Sequence, residues 1–465
     1  MINKDILKLA IPSILANITV PLVGMVDVAV AGHLDGSAAT MIGGIAIGSM
    51  LFDLLYWNFG FLRVGTGGLA AQAYGRGDRR ECARILARAL GIALASALVL
   101  IAIQWVFVRA AFLVVDCTPE VRELASQYFF VRIWAAPATL SLMALKGWFI
   151  GMQDSVSPMV TDIVVNGMNI LASIALALGF APGGVTLVPA IGFKGVAAGT
   201  LIAQWTGLAT AVCLLAVKYR RNTMSYIEPG DLKGLLSAPD TKRFFVMNTD
   251  LFVRSLCFIA IYIGFTVISA RYGDLLLAVS SIMMKLLMIF SYFTDGFAYA
   301  GEALSGRYIG AADGPMLRKT VRWTFVWSMG LAAVFMVIYQ LAGVPMVRMM
   351  TSDGAVIEAA RGFLPWLLLM PVVGCAAFTW DGIYIGATAS KEMRNSMLWA
   401  VVGFVAVWAA GMIVLGYVGA EPASRYGEYA MHVLMAAYFA HLLARTVYLT
   451  MKARSTLPYY VESVS

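Results

Sequence analysis

The sequence predicts an all-α integral membrane protein of twelve transmembrane helices, arranged as two pseudo-symmetric six-helix bundles. Three observations predict it. Of 465 residues, 60% are apolar and only 13% are charged, and the mean hydropathy is +0.80. A soluble domain carries about 25% charged and about 45–50% apolar residues. The apolar residues also gather into twelve runs, each of a length suited to the roughly 20 residues that cross a hydrocarbon core. Finally, a pattern of glycines, acids and isoleucines in the first half of the chain recurs in the second half at one constant offset.

The runs lie at about residues 6–31, 40–73, 85–108, 121–149, 157–180, 191–217, 244–270, 275–306, 320–342, 357–389, 395–418 and 429–450. The first is too long for a signal-peptide core, begins after Lys4, Asp5 and Lys8, and has no small-residue cleavage site before the next run, so it is expected to remain in the mature protein. Between runs six and seven the polar stretch 218–243, with Pro229, Gly230, Gly234 and Pro239, reads as a cytoplasmic linker. It separates an N-terminal six-helix lobe, 1–217, from a C-terminal lobe with its tail, 244–465.

The repeat supports that division. Gly75 and Gly310, Asp78 and Asp313, Gly147 and Gly382, Ile150 and Ile385, and Gly151 and Gly386 are pairs with identical separation in the chain. An even number of spans per repeat gives both halves the same orientation, with an axis along the membrane normal and a site expected at their interface. With the N-terminus placed in the cytoplasm, the inside connections hold 22 Lys and Arg and the outside ones six. Cytoplasmic loops retain positive charge, so both termini are expected inside, in a bacterial-type cytoplasmic (inner) membrane. The net charge of +8 then reports topology and not nucleic-acid binding.

Other classes are disfavoured. Cys82, Cys117, Cys213, Cys257 and Cys375 have neither disulfide nor metal-site spacing. His33, His432 and His441 lie at or near span ends with no nucleophile and base in view, which argues against an enzyme. No cofactor is expected.

Charges inside the runs carry the functional reading, because each costs about 2.5–3.5 kcal/mol at the centre of a lipid-facing helix. Arg63, Arg132, Lys146, Asp162, Asp250 and Arg361 are expected to snorkel to the interface. The others need partners or a wet cavity. In span eight Lys285, Met288, Tyr292, Asp295, Tyr299 and Glu302 recur at steps of three or four, one helical stripe that reads as a solute-contacting lining or, alternatively, as a buried ion-pair network. Asp381 in span ten is a further candidate for that lining.

Span one has a single acid, Asp27, six residues after Pro21 and fifteen after Pro12. A lone carboxylate in an apolar helix loses the hydration that sustains its charge, so proton uptake near neutral pH is expected. Either proline removes a backbone hydrogen bond and allows the helix to bend. In span five Asn166, Asn169 and Ser173 share one polar face, and Thr200 and Gln204 in span six are spaced to close the same pocket around Asp27. Twenty-six methionines and 12% aromatic residues supply deformable surface of the kind that accommodates varied apolar cations.

Four stretches carry a resemblance. Leu9 to Leu34 contains IPSILANITVPLVGMVDVAVAGHL, span two exits through FLRVGTGGLAAQAYGRGD, span eight contains FSYFTDGFAYAGEALSGRYIGA, and span ten contains WDGIYIGATASKEMRNSM. Together they resemble the multidrug and toxic compound extrusion (MATE) family, most of all its DinF-like branch, over nearly the whole chain. The resemblance implies two six-helix bundles around a central cavity open to one side at a time. It also implies secondary active antiport of organic cations or other xenobiotics against protons or sodium ions. By the same resemblance Asp27 matches the first-helix acid of the N-lobe cation site, Pro12 a proline where that helix bends, Asn169 the fifth-helix Asn, and Thr200 the sixth-helix Thr. Ser173 stands where many relatives have an Asp, leaving one carboxylate in that pocket. This favours H+ over Na+ as coupling ion, with Na+ near Asp27 still open through neutral oxygens. In the C-lobe Asp381 matches a tenth-helix Asp, but Arg254 lies near the place of its seventh-helix Glu partner, which speaks against a sodium site there. The expected partners are small-molecule drugs or organic cations and the lipid bilayer, with the protein a monomer. The alternative is a flippase for a lipid-linked or polysaccharide precursor, in which Lys285 and Arg254 would pair with phosphate.

Overall fold

In the computed structural model the described residues are 2–32, 34, 38–113, 115, 117–180, 188–221, 223, 225, 239–418 and 425–458. Most of the expected linker, and His33, lie outside them. Among the described residues twelve helices are long and apolar enough to cross a membrane: Ile2–Ala31, Thr40–Gly75, Arg79–Ala111, Pro119–Gly151, Val156–Leu178 and Phe193–Tyr219 as spans one to six, then Phe245–Ala270, Asp274–Gly310, Gly314–Met350, Gly354–Gly386, Ser390–Tyr417 and Tyr426–Thr456 as spans seven to twelve. No β-strand is formed among those residues beyond a single bridge between Phe180 and Val188. The chain is an all-α membrane protein.

Span ends follow local chemistry. Asp78, Thr118, Asp313 and Asp353 each accept a hydrogen bond from a backbone N–H in the first turn of the following helix, with Pro119 and Pro315 just inside two of those starts. Span nine therefore begins at Gly314 and runs to Met350, longer at both ends than its hydropathy predicts, with Pro345 inside it. Spans two and four are not continuous α-helix. Each passes through a 3-10 turn, Trp57–Phe59 and Ile133–Ala135, the second just ahead of Pro137.

The chain packs as two compact units, Leu15–Phe244 and a second made of Met1–Ile14 with Phe245–Ser465. The division differs from the expected lobes in one respect: the beginning of span one belongs with the C-terminal unit. There Trp327 Nε1 donates to Asn3 Oδ1 at 3.2 Å, and Gly296 lies against the Ala10 carbonyl and the Ile14 side chain. Span one is a single helix through both prolines, and the boundary falls two residues after Pro12.

Within the N-terminal unit, span four packs on spans two and three, and span five lies along span six. Glycine makes the last contact intimate: a Cβ at Gly199 would fall 2.5 Å from Ser173 N, and one at Gly195 2.5 Å from Ala177 N. Small-residue spacing of this kind lets membrane helices approach backbone to backbone. Within the C-terminal unit spans eight and ten make the corresponding close pair, and spans eleven and twelve pack along each other.

The sequence repeat recurs in the backbone. A Cβ at Gly147 would collide with the Arg63 carbonyl and one at Gly382 with the Ala298 carbonyl, and the two carbonyls are offset in the chain by the same interval as the two glycines. Gly77 and Ala312 are both left-handed, at φ +75° and +55°, as are Gln153 and Thr388, at +63° and +54°. At all four turns the next residue's N–H reaches back five residues: Asp78 to Ala73, Asp313 to Tyr308, Asp154 to Phe149 and Ala389 to Tyr384. Spans two, four, eight and ten therefore end in the same helix-terminating turn. Elsewhere large apolar side chains such as Leu98, Val106, Leu341 and Val414 are exposed, as lipid-facing helices require.

Candidate functional site

The N-terminal unit gathers four of the five expected coupling residues. Asp27, Asn169, Ser173 and Thr200 are all buried, 7%, 3%, 0% and 3% exposed respectively. Asn169 Nδ2 donates to Thr200 Oγ1 at 3.0 Å. Ser173 Oγ is 3.3 Å from Asn169 Oδ1 and 3.4 Å from the Val196 carbonyl, and the hydroxyl also lies within hydrogen-bonding reach of Asp27. Asp27 Oδ1 is buried with no hydrogen-bond partner among the described residues. Helical spacing puts Asn169 and Ser173 one turn apart, and the glycine contacts of span six bring Thr200 beneath them. Asn166 stands apart from this group. Its Nδ2 donates to Thr19 Oγ1 of span one, two turns before Asp27. Pro12 is half-buried and Pro21 exposed, both inside the unbroken first helix.

Chemically, the group offers a single ionisable carboxylate set among neutral hydrogen-bonding side chains. A buried carboxylate oxygen without a donor is costly when ionised. Uptake of a proton or approach of a cationic group removes that cost. Asn169, Ser173 and Thr200 add neutral oxygens but no second negative charge.

Two further charged residues of this unit were not anticipated as part of the site. Arg132 was expected to snorkel. Instead it sits about 20 Å along a span about 50 Å long, its Nη1 donating to Tyr128 OH at 2.9 Å and its guanidinium 4.6 Å from the centre of the Phe52 ring. Asp27 and Asp53 are the carboxylates acting on its charge. The signal was available: Arg132 is thirteen residues into span four, and Asp53 thirteen residues into span two.

Three more expected snorkellers are paired. Lys146 forms an ion pair with Asp162, joining spans four and five. Asp250 accepts from Arg394 Nη1 at 2.6 Å and from Ser390 Oγ at 2.9 Å, joining span seven to the start of span eleven. Pairing replaces snorkelling because the partner is supplied by a neighbouring helix at the same depth.

Asp381 differs most from its expected role as cavity lining. Arg254 Nη2 donates to its Oδ2 at 2.6 Å, and Arg445 Nη2 donates to the same oxygen. Arg445 is 1% exposed. Its place among the cytoplasmic loop charges is thus corrected: it is an internal charge of span twelve. Two guanidiniums already occupy the space a transported cation would take beside Asp381. The span-eight stripe is graded. Lys285 is exposed, Met288, Tyr292, Asp295 and Tyr299 are half-buried, and Glu302 is completely buried. Glu302 therefore does not touch a solute in this structure, and the accessible stripe ends at Tyr299.

Outside the spans, Asp154 ties the connection between spans four and five to the end of span six. It accepts from Ser157 N at 3.0 Å, Ser157 Oγ at 2.6 Å, Lys218 Nζ at 3.0 Å and Tyr219 OH at 3.1 Å. Burial pushes its pKa up, but the Ser157 bonds and the Lys218 ammonium outweigh that and hold the carboxyl below its ordinary range.

Twelve spans in two repeated sets, with a buried acid set among neutral hydrogen-bonding side chains, define a membrane transporter and not an enzyme. Residues 12–175 and 251–409 match the family model described as MatE, and the chain belongs to the MatE family. It is 34% identical to DNA damage-inducible protein F of Escherichia coli (strain K12) over 402 residues, covering 86% of this chain and 84% of that one. It is 22% identical to "Probable multidrug resistance protein NorM" of Thermotoga maritima over 422 residues, covering 89% of this chain and 85% of the relative. Its fold matches that of a solved multidrug resistance MATE family transporter of the MOP superfamily in an outward-facing conformation, with a TM-score of 0.81 over 98% of this chain and 96% of that one at 14% identity.

Proposed function

We propose that this MatE-family transporter exports organic cations or other xenobiotics in exchange for protons by alternating access, acting as a monomer with both termini in the cytoplasm. The observation that carries the coupling reading is Asp27, a buried acid with an unpartnered oxygen beside Ser173. Proton and organic cation compete for that one negative charge. Binding of a proton at Asp27 from outside displaces the drug outward, and release of the proton inside readies the acid for another drug molecule. Pro12 and Pro21, within the same helix, give it places to bend between the two states. Each elementary charge that crosses the field is worth about 2.3 kcal/mol per 100 mV. One proton exchanged for one monovalent organic cation moves no net charge, so that exchange draws on the pH difference alone, about tenfold accumulation per pH unit, and the potential adds to it only for a neutral xenobiotic.

Sodium is the second reading, favoured by the neutral oxygens of Asn169, Ser173 and Thr200 around one carboxylate. A C-lobe sodium site loses support, because Arg254 and Arg445 already neutralise Asp381. The flippase reading loses support for a related reason: Arg254, one of its phosphate partners, is engaged with that carboxylate. The orientation rests on the 22 to six bias of basic residues, which survives the removal of Arg445 from the count.

The experiment is transport of ethidium by the purified protein in proteoliposomes with proton and sodium gradients imposed separately. Uptake into inverted vesicles driven by the proton gradient alone supports the proposal. Uptake that requires sodium and ignores the proton gradient replaces the proton with sodium.

A further inference from the structure

Spans two and three meet at their ends around a cavity of about 230 Å³ that the coupling site does not use. Leu69, Gln72 and Arg76 line it from span two and the turn that follows, and Asp78, Glu81, Ile85 and Arg88 from the start of span three. Both sets step by three or four residues, so each presents one helical face to the cavity. The lining is graded. Arg76 and Asp78 are exposed at the mouth, Glu81 is half-buried, and Gln72, Ile85 and Arg88 are buried. Arg88 stands nine residues past Arg79, where span three begins, about 13 Å along the helix.

Arg88 is costly where it is. Its guanidinium stays charged and carries five N–H donors, yet the residue is 5% exposed, its Nε has no hydrogen-bond partner among the described residues, and its Nη1 meets Glu81 Oε1 only at 3.5 Å. A buried charge without close partners is unfavourable. The repeat shows that the fold does not demand it. Asp78 Oδ1 accepts from Glu81 N at 2.9 Å and Asp313 Oδ1 from Met316 N at 3.0 Å, so the same cap forms in both halves. In the second half Ala311, Met316 and Trp323 stand at the positions of Arg76, Glu81 and Arg88, and Arg307 at that of Gln72. The turn is thus built without the first three charges.

The chemistry of the lining selects a ligand. Guanidinium groups take phosphate oxygens in pairs, and Arg88 on the floor, Arg76 at the mouth and the Gln72 amide supply donors for them. A bare phosphate would also face the carboxylates of Asp78 and Glu81. Two guanidiniums against two carboxylates leave the lining neutral, which suits a ligand that carries a phosphate and its own ammonium. The space is ample, since one water needs only about 10–15 Å³. We propose that this cavity binds a phosphoethanolamine group, its phosphate held by Arg88 and Arg76 and its ammonium by Glu81 and Asp78. The ends of membrane spans lie at the level of lipid headgroups, so the group comes either from a phospholipid or from a soluble phosphoethanolamine.

The test is native mass spectrometry of the delipidated protein in detergent, titrated separately with phosphatidylethanolamine, phosphatidylcholine and phosphatidylglycerol of identical acyl chains. The first has a hydrogen-bonding ammonium, the second a methylated one and the third none. One phosphatidylethanolamine is expected to bind, about tenfold more tightly than either of the others. Arg88→Gln is expected to weaken it about tenfold or more, the effect of losing a charged hydrogen bond. Glu81→Gln removes the preference for phosphatidylethanolamine and leaves phosphatidylglycerol binding as it was. Arg76 is exposed, so Arg76→Gln yields folded protein even where Arg88→Gln does not, and it too weakens phosphatidylethanolamine. Equal binding of the three lipids overturns the inference. So does phosphatidylethanolamine binding that is unchanged in Arg88→Gln, or in Arg76→Gln where the former fails to fold, and so does a preference kept in full by Glu81→Gln. Soluble phosphoethanolamine distinguishes the sources: displacement of the lipid shows that the headgroup alone is read, and retention of the lipid assigns the site to the membrane. None of these readouts depends on Asp27.

Discussion

Gly147 and Gly382, equivalent positions of the two repeated halves, each lie against a carbonyl oxygen of a neighbouring span, that of Arg63 in one half and of Ala298 in the other. The same backbone crossing is thus made twice, between spans two and four and between spans eight and ten. Even one methyl group would have to separate two packed helices. Gly147→Ala and Gly382→Ala are each expected to lower stability by about 1–3 kcal/mol, read as a lower midpoint in thermal unfolding of the detergent-solubilised protein. Gly167→Ala, where no atom lies within 4 Å, is the control expected to leave the midpoint unchanged.

The repeat also predicts a stabilising change. Ala312 holds the left-handed conformation that glycine holds at the equivalent Gly77. Ala312→Gly is expected to raise stability by about 1 kcal/mol, and Gly77→Ala to lower it by a similar amount. Opposite shifts of the unfolding midpoint check this.

Asp381 gives the sharpest contrast between a coupling acid and a structural one. With Arg254 and Arg445 both on its Oδ2, Asp381→Asn leaves Arg445 buried without its counter-charge. Breaking a buried pair from one side costs about 3–5 kcal/mol. The variant is expected to be markedly less stable, with the transport of its folded fraction still coupled. A stable but uncoupled Asp381→Asn protein would assign coupling to the C-terminal half.

Asp154 makes stability depend on pH. Its carboxyl is held below the ordinary range in the fold, so its contribution is fully present above the unfolded-state value of about 4 and is lost as pH falls through the lower folded value. Asp154→Asn is expected to be less stable than the unaltered protein at pH 7, with the gap closing in acid. Unfolding midpoints of both proteins across that pH range supply the measurement.

Much of this architecture was legible in the sequence, because hydropathy reports helices directly. Most span boundaries agree to within a few residues; the larger differences fall at the starts of spans three and nine, where Asp78 and Asp313 cap the helix, and at the end of span nine, the start of span eleven and the end of span twelve, where the helix runs on past its most apolar stretch. The repeat was visible through Gly147, Gly151, Gly382 and Gly386 because only glycine tolerates such close crossings. The i, i+4 spacing placed Asn169 and Ser173 on one face. What one-dimensional pattern does not carry is the rotation of one helix against another. Arg254 and Arg445 are 127 and 64 residues from Asp381, and nothing in their spacing announces that they meet. The same limit sent Lys146, Asp162 and Asp250 to the interface when neighbouring helices held their partners. Charge alone, without its distance along the span, makes Arg132 look like a helix-end residue.

The account stands on Asp27 as the site where proton and drug compete. The most direct measurement is ethidium-driven proton movement in proteoliposomes containing either the unaltered protein or Asp27→Asn. The account predicts proton movement with the unaltered protein and none with Asp27→Asn, in a variant that remains folded. Undiminished coupled transport by Asp27→Asn would contradict it.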